Sequence, residues 1–130
     1  MSLEQQHSRF KLFIGRPTED NPLGGLADEV SSFVQSAGVA PKSIGAEYLE
    51  AKKSLVLSLG YRDDEPGYRV HLHCVRLAGT TDFGADDFAA LEAQMAEASQ
   101  GLRGIICHEL FVTDEGRFYM VFMMRSEPTN

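Results

Sequence analysis

The segment Arg69–Leu77 carries residue types that are suited to chemistry. It reads RVHLHCVRL, so His71 and His73 flank one leucine and Cys74 follows. On a β-strand, residues two apart point to the same side. Two imidazoles about 7 Å apart along one strand can share a metal ion. A histidine pair still needs a third ligand, and the candidate for that role is His108.

The elements that must position these residues follow from hydrophobic periodicity. Alternation of apolar and polar residues predicts strands, and apolar residues at steps of three and four predict helices. The predicted strands are residues 8–15, 55–61, 68–77, 104–113 and 117–125, and the predicted helices are residues 26–37 and 86–102. For residues 43–53 a helix is the alternative, but we favour extended structure with a bulge or bend near residues 51–53.

This order of elements, β-α-β-β-α-β-β, predicts an α+β fold and a single domain over residues 1–130. The first six elements are those of a ferredoxin-like β-α-β-β-α-β sandwich with two helices on one face of an antiparallel sheet, and the last is an added C-terminal β-strand. Residues 54–77 are expected to form a hairpin. The polar ends, residues 1–7 and 126–130, are expected to be frayed.

Composition and charge exclude several classes of function. The 130 residues include 19 acidic and 12 basic side chains, giving a net charge of −7 that opposes nucleic-acid binding. No apolar run is long enough to span a membrane, and the first ten residues do not resemble a signal peptide. We therefore expect a cytoplasmic protein with reduced thiols. No motif calls for a cofactor.

The expected fold separates the candidate metal ligands. In a ferredoxin-like sheet the strands of His71 and His108 lie on either side of the first strand, about 10 Å apart. We therefore predict no metal site, and expect His71 and His73 to be half-exposed residues on a sheet face or at a dimer rim. A general acid–base role is the alternative. The same separation predicts that Cys74 and Cys107 are free, buried and unreactive thiols.

A second candidate site lies in the loops after the first and third predicted strands, which lead into helices. Helix N-termini favour anions, and Arg16, Thr80 and Thr81 of these loops could bind an anionic ligand. Acidic residues crowd the same loops: Glu19, Asp20, Asp82, Asp86 and Asp87. They serve more simply as helix caps and dipole partners. No glycine-rich phosphate-binding motif is present.

The last predicted strand is apolar on both of its sides. One side carries Phe118, Met120, Phe122 and Met124, and the other carries Tyr119, Val121 and Met123. Helices on one face would leave the other face of the sheet in water. We therefore expect the outer face to be covered by the first half of the segment 43–62 or by the sheet of a second copy.

These observations favour a non-catalytic homodimeric module that binds through its apolar sheet face, with a small molecule or another protein as a further partner. The alternative is a small dimeric enzyme acting on a small organic molecule. In that enzyme His71, His73 or His108 would be the acid–base or metal-binding group. The alternative requires a concave pocket that holds at least one of these histidines.

Overall fold

A computed structural model describes residues 8–77, 85–113 and 116–126, which contain two α-helices and six β-strands. The strands are β1 (Ser8–Gly15), β2 (Ala40–Leu49), β3 (Ser54–Arg62), β4 (Val70–Leu77), β5 (Ile105–Val112) and β6 (Phe118–Arg125). The helices are α1 (Leu26–Ala37) and α2 (Ala85–Ser99). The predicted α+β class is therefore confirmed.

The strands form two antiparallel sheets of three strands each, in the orders β1-β3-β2 and β4-β6-β5. The ferredoxin-like order is not confirmed, because it requires β1 to lie between β4 and β5. Among the described strands β1 pairs with β3 instead. The expected hairpin over residues 54–77 is wrong, since β3 and β4 belong to different sheets.

Residues 43–53 are extended and then bend, as the sequence predicts. β2 continues to Leu49, and a short 3₁₀ turn, Glu50–Lys52, leads into β3. Lys53 closes this turn in the left-handed conformation, with φ 52°. The alternation that defines β2 places Ile44 against the core, with Tyr48 packed beside it. The extended conformation therefore lets this segment turn its alternating apolar residues toward the core.

Helix α1 packs on a core that both sheets share. Its buried residues Leu26, Val30 and Val34 belong to the same cluster as Leu57 of β3 and Val121 of β6. The apolar steps of three and four predict this helix within its observed bounds. Gly38 ends it in the left-handed conformation, and its N–H donates to the Val34 carbonyl at 3.0 Å.

Helix α2 covers the outer side of the second sheet. Leu91 packs there in a separate cluster with Met120, Phe122 and Met124 of β6. Helix α1 instead contacts the shared core, where the opposite side of β6 is buried. The arrangement of two helices on one face is therefore not confirmed. Helix α2 covers one apolar side of β6, and the other side packs in the cluster that includes Ile44 of β2, within the first half of segment 43–62.

The predicted frayed ends lie mostly outside the described residues, at positions 1–7 and 127–130. Ser126 is described, and its N–H donates to the Arg69 carbonyl at 2.8 Å. None of the helices in the described ranges has the length and hydrophobicity needed to cross a bilayer.

Candidate functional site

Two of the three candidate histidines lie on either side of one aromatic ring. His73 on β4 and His108 on β5 are both paired opposite Phe122 of β6. The His73 ring stacks on Phe122 with centroids 6.5 Å apart, and the His108 ring is tilted against it at 6.4 Å. His71 is paired opposite Met124. The strand that separates these histidines is therefore β6, whereas the sequence predicts β1.

This arrangement does not assemble a set of metal ligands. Within residues 8–77, 85–113 and 116–126, no group of three or more His, Cys, Asp or Glu side chains is placed to hold a metal ion. His73 and His108 are two strands apart, which is roughly 10 Å. The Phe122 ring lies between them.

Both cysteines are free and half-buried. They lie on either side of β6, because Cys74 pairs with Val121 and Cys107 with Met123. Burial raises the pKa of Cys74 to about 12. Burial also raises the pKa of Cys107, although a hydrogen bond with the Ile44 backbone opposes part of this effect. Both thiols are therefore protonated at neutral pH and poor nucleophiles.

His108 is the candidate histidine that lines a cavity. The cavity lies between α2 and the strands β5 and β6, and its volume is about 280 Å³. Its walls are mostly apolar and consist of Met95, Ala96, Ser99, Ile105, His108, Met120 and Phe122. His71 and His73 are not among these residues. The pocket that the enzyme alternative requires is therefore present for His108.

Arg16 lines a cavity of about 780 Å³ at the end of β1, which we call the basic cleft. It is formed by Ile14, Gly15, Arg16, Gly24, Ala51, Lys52, Lys53 and Ser54. The antiparallel pairing of β1 with β3 sets Gly15 opposite Leu55, which brings the turn before β3 beside Arg16. The sequence identifies Arg16 but gives no sign that Lys52 and Lys53 join it. Thr80 and Thr81 lie outside the described residues.

A row of exposed apolar side chains lies on β1. Phe10, Leu12 and Ile14 are 74%, 70% and 59% exposed, and we call these three residues the apolar ridge. The opposite side of the strand carries Phe13, which is buried and packs edge-on against Phe33 of α1 at 5.9 Å. The sequence predicts the alternation of β1 but not which side is exposed.

Beside the ridge, the sheet presents small residues. Gly60 and Ser58 of β3 pair with Phe10 and Leu12, and Gly45 of β2 pairs with Ser58. The ring of Phe10 approaches Gly60 so closely that a Cβ there would lie 3.3 Å from a ring carbon. These three positions beside the ridge therefore carry no large side chain.

A groove of about 530 Å³ separates β1 from α1. It is lined by residues Lys11, Leu12, Phe13 and Ile14 of β1 and by Asp28, Glu29, Ser32 and Phe33 of α1. The Lys11 ammonium lies 5.3 Å from the centre of the Phe33 ring, within the range of a cation–π contact. One wall of the groove is therefore basic, and the first turn of α1 makes the other wall acidic.

The free edge of β1 adjoins this groove. In the described part of the chain, β1 is the end strand of its sheet and pairs on one side only. Its other side presents backbone N–H and C=O groups that a further strand can bond.

Comparisons of the chain with protein-family models, with curated proteins and with solved structures each returned no match. The candidate sites are therefore identified by their geometry. They are the ridge and groove at β1, the basic cleft at the end of the same strand, and the cavity beside His108.

Proposed function

We propose that this protein is a non-catalytic homodimeric interaction module that associates through the free edge of β1. The observation that carries the proposal is the apolar ridge, three large side chains exposed on a strand at the end of its sheet. Exposed edges pair readily with another strand. Pairing at β1 would join backbone hydrogen bonding and apolar burial in one contact.

An antiparallel pairing with its two-fold axis at Leu12 suits the sequence of β1. It sets Leu12 opposite the second copy's Leu12, and Phe10 opposite the second copy's Ile14. The two ridges then form one apolar strip, since residues directly opposite share a face. An axis at Lys11 would instead set two lysines opposite each other, which is destabilising.

The groove beside β1 supports the same pairing through charge. An incoming β1 strand would direct its Lys11 toward α1, on the side where Asp28 and Glu29 line the groove. With the axis at Leu12, that Lys11 lies directly opposite Phe13 and not directly opposite the other copy's Lys11. The two-fold symmetry repeats this contact, which makes the surface self-complementary.

The size of the ridge sets the expected affinity. A stable interface buries roughly 800 Å² on each partner. The ridge supplies part of that area, because an aromatic side chain such as Phe10 buries roughly 150–250 Å² when it is fully covered. The groove and the surface of small residues beside the ridge must supply the rest of the buried area. We therefore expect a reversible dimer with a dissociation constant of roughly micromolar order.

Sedimentation velocity on wild type and a Leu12→Lys variant tests the proposal. The substitution sets two lysines opposite each other at the two-fold axis, and we expect dimerisation to weaken at least about tenfold. Val112→Lys is the matched control, because Val112 is 41% exposed on β5, in the other sheet. Circular dichroism confirms that each variant is folded.

Two results would contradict the proposal. One is a wild type that stays monomeric at roughly 100 µM, well above the expected dissociation constant. The other is a dimer that Leu12→Lys and Val112→Lys weaken equally, since the contact would then lie away from β1.

A second candidate function is the binding of a small organic molecule beside His108. The supporting observation is the mostly apolar cavity of about 280 Å³ with this one titratable side chain in its wall. Histidine is suited to acid–base chemistry near neutral pH. Methyl NMR of Met95 and Met120 during a fragment screen tests this candidate, with His108→Ala as the variant and His71→Ala as the control. Methionine signals that no fragment shifts would contradict it.

A further inference from the structure

We propose that the basic cleft binds a small organic phosphate through Arg16, Lys52 and Lys53. The cleft is lined by the end of β1, the loop that follows it and the segment that leads into β3. It shares only Ile14 with the apolar ridge. The proposed phosphate site and the proposed contact at β1 can therefore be tested separately.

The charge of the cleft is opposite to that of the protein. The chain has a net charge of −7, yet three of its 12 basic residues line this one cavity. Among the described residues, none that forms its wall is Asp or Glu. Cationic side chains that line one cavity attract anions.

Acidic residues near Arg16 in the sequence are directed to other places. The Glu19 carboxylate lies 3.8 Å from the Arg117 guanidinium, in an ion pair outside the cleft. Asp28 and Glu29 line the groove between β1 and α1. The sequence places Glu19 among the acids that would oppose an anion beside Arg16, but the fold keeps Glu19 out of the cleft wall.

The main chain that carries Arg16 is tightly held. Gly24 has φ 57° and packs on the Arg16 backbone, where a Cβ would lie 2.5 Å from the Arg16 carbonyl oxygen. Two hydrogen bonds to the Asn21 carbonyl close the loop, from the Thr18 N–H at 2.9 Å and from the Gly24 N–H at 3.0 Å. A fixed backbone lowers the entropy that Arg16 loses when it binds a ligand.

Lys53, which also lines the cleft, has an uncommon backbone conformation. It is the one non-glycine residue in the described ranges with a positive φ. Glycine or asparagine adopts this conformation more readily than a residue with a long side chain. The strained position places a cation on the wall of the cleft, and uncommon backbone conformations concentrate at functional sites.

The chemistry of the wall favours phosphate esters. An arginine can bind a phosphate group through two parallel hydrogen bonds, and lysines add compact positive charge. Three cations suit a ligand with two or more negative charges. The cavity of about 780 Å³ also exceeds the volume of a phosphate ion, and Ile14 and Ala51 give an organic group apolar surface to contact.

Isothermal titration calorimetry with ADP as the probe, in metal-free buffer of fixed ionic strength, tests the proposal. We expect Arg16→Gln and Lys52→Gln each to weaken ADP binding about tenfold or more, because each removes a charge-assisted hydrogen bond. Arg103→Gln is the matched control, since it removes the same charge outside the cleft wall. Adenosine, which lacks the phosphates, is expected not to bind.

Three results would overturn the proposal. The first is folded wild type that does not bind ADP. The second is equal weakening by Arg16→Gln and Arg103→Gln, which would indicate attraction by overall charge alone. The third is inorganic phosphate binding as tightly as ADP, which would leave no role for the organic group. Retained ADP binding in Leu12→Lys would support a site that does not require the dimer.

Discussion

The close approach of Gly24 to the backbone of Arg16 makes a quantitative prediction about stability. Gly24→Ala would place a Cβ 2.5 Å from the Arg16 carbonyl oxygen and 2.6 Å from its carbonyl carbon. These are backbone atoms, so no rotation of a side chain can relieve the clash. Gly25→Ala is the control, because Gly25 also has a positive φ, 88°, but nothing lies within 4 Å of the added Cβ.

The expected loss of stability follows from two costs. The left-handed conformation costs a residue with a Cβ about 1–2 kcal/mol, and the reduced entropy of the unfolded chain returns about 0.4–1 kcal/mol. Gly25→Ala should therefore lower the free energy of unfolding by about 1 kcal/mol. Gly24→Ala adds an overpacking cost of about 1–3 kcal/mol, for a total loss of about 2–4 kcal/mol.

Urea denaturation followed by circular dichroism measures both variants. We expect a difference of about 1–3 kcal/mol between them at an unchanged m-value, since the same surface is exposed on unfolding. A Gly24→Ala variant as stable as Gly25→Ala would refute the reasoning. The loop would then be able to move away from Arg16, and the argument for a fixed wall in the basic cleft would fail with it.

Two further predictions concern burial. Leu57→Ala should lower the free energy of unfolding by about 2–5 kcal/mol, because Leu57 is fully buried. Leu12→Ala on the exposed ridge should change the free energy of unfolding by less than about 0.5 kcal/mol, at protein concentrations too low for dimerisation. Similar losses of stability in urea titrations of the two variants would contradict the assignment of Leu57 to the core and Leu12 to the ridge. The pKa of Cys74 is raised to about 12 in the folded protein from an ordinary value of 9.0. Its contribution to stability is complete below pH 9.0 and is lost as the pH rises toward about 12, because the unfolded thiol ionises first. Cys74→Ala should make the free energy of unfolding less dependent on pH in this range. Identical pH profiles for the variant and the wild type would contradict the prediction.

Helix α1 shows how far local pattern predicts this fold. The apolar spacing predicts residues 26–37, and the helix spans Leu26–Ala37. Helix α2 ends at Ser99, three residues before the predicted end, since Gly101 takes a positive φ of 79° in the following turn. Leu102 still packs on the cluster beneath α2. Its apolar spacing therefore indicates burial correctly but not membership of the helix.

The candidate histidines show where prediction of the site stops. Alternation along a strand predicts that His71 and His73 share a side, and their pairing partners Met124 and Phe122 lie two residues apart on β6. Which strand lies beside them depends on contacts between distant segments. For that reason the sequence could not predict that His108 would line a cavity, or that Phe122 would lie between two imidazoles.

The sequence by itself determined five of the six described strands, the two helices, the α+β class and the apolar character of both sides of β6. These features depend on side-chain spacing within a short segment, which periodicity reports directly. The tertiary structure decided which strands pair, which helix covers each side of β6, and which side of β1 faces water. It also brought Lys52 and Lys53 beside Arg16. The physical reason is that an apolar pattern specifies that a surface is buried, whereas the choice of partner depends on packing between residues far apart in the chain.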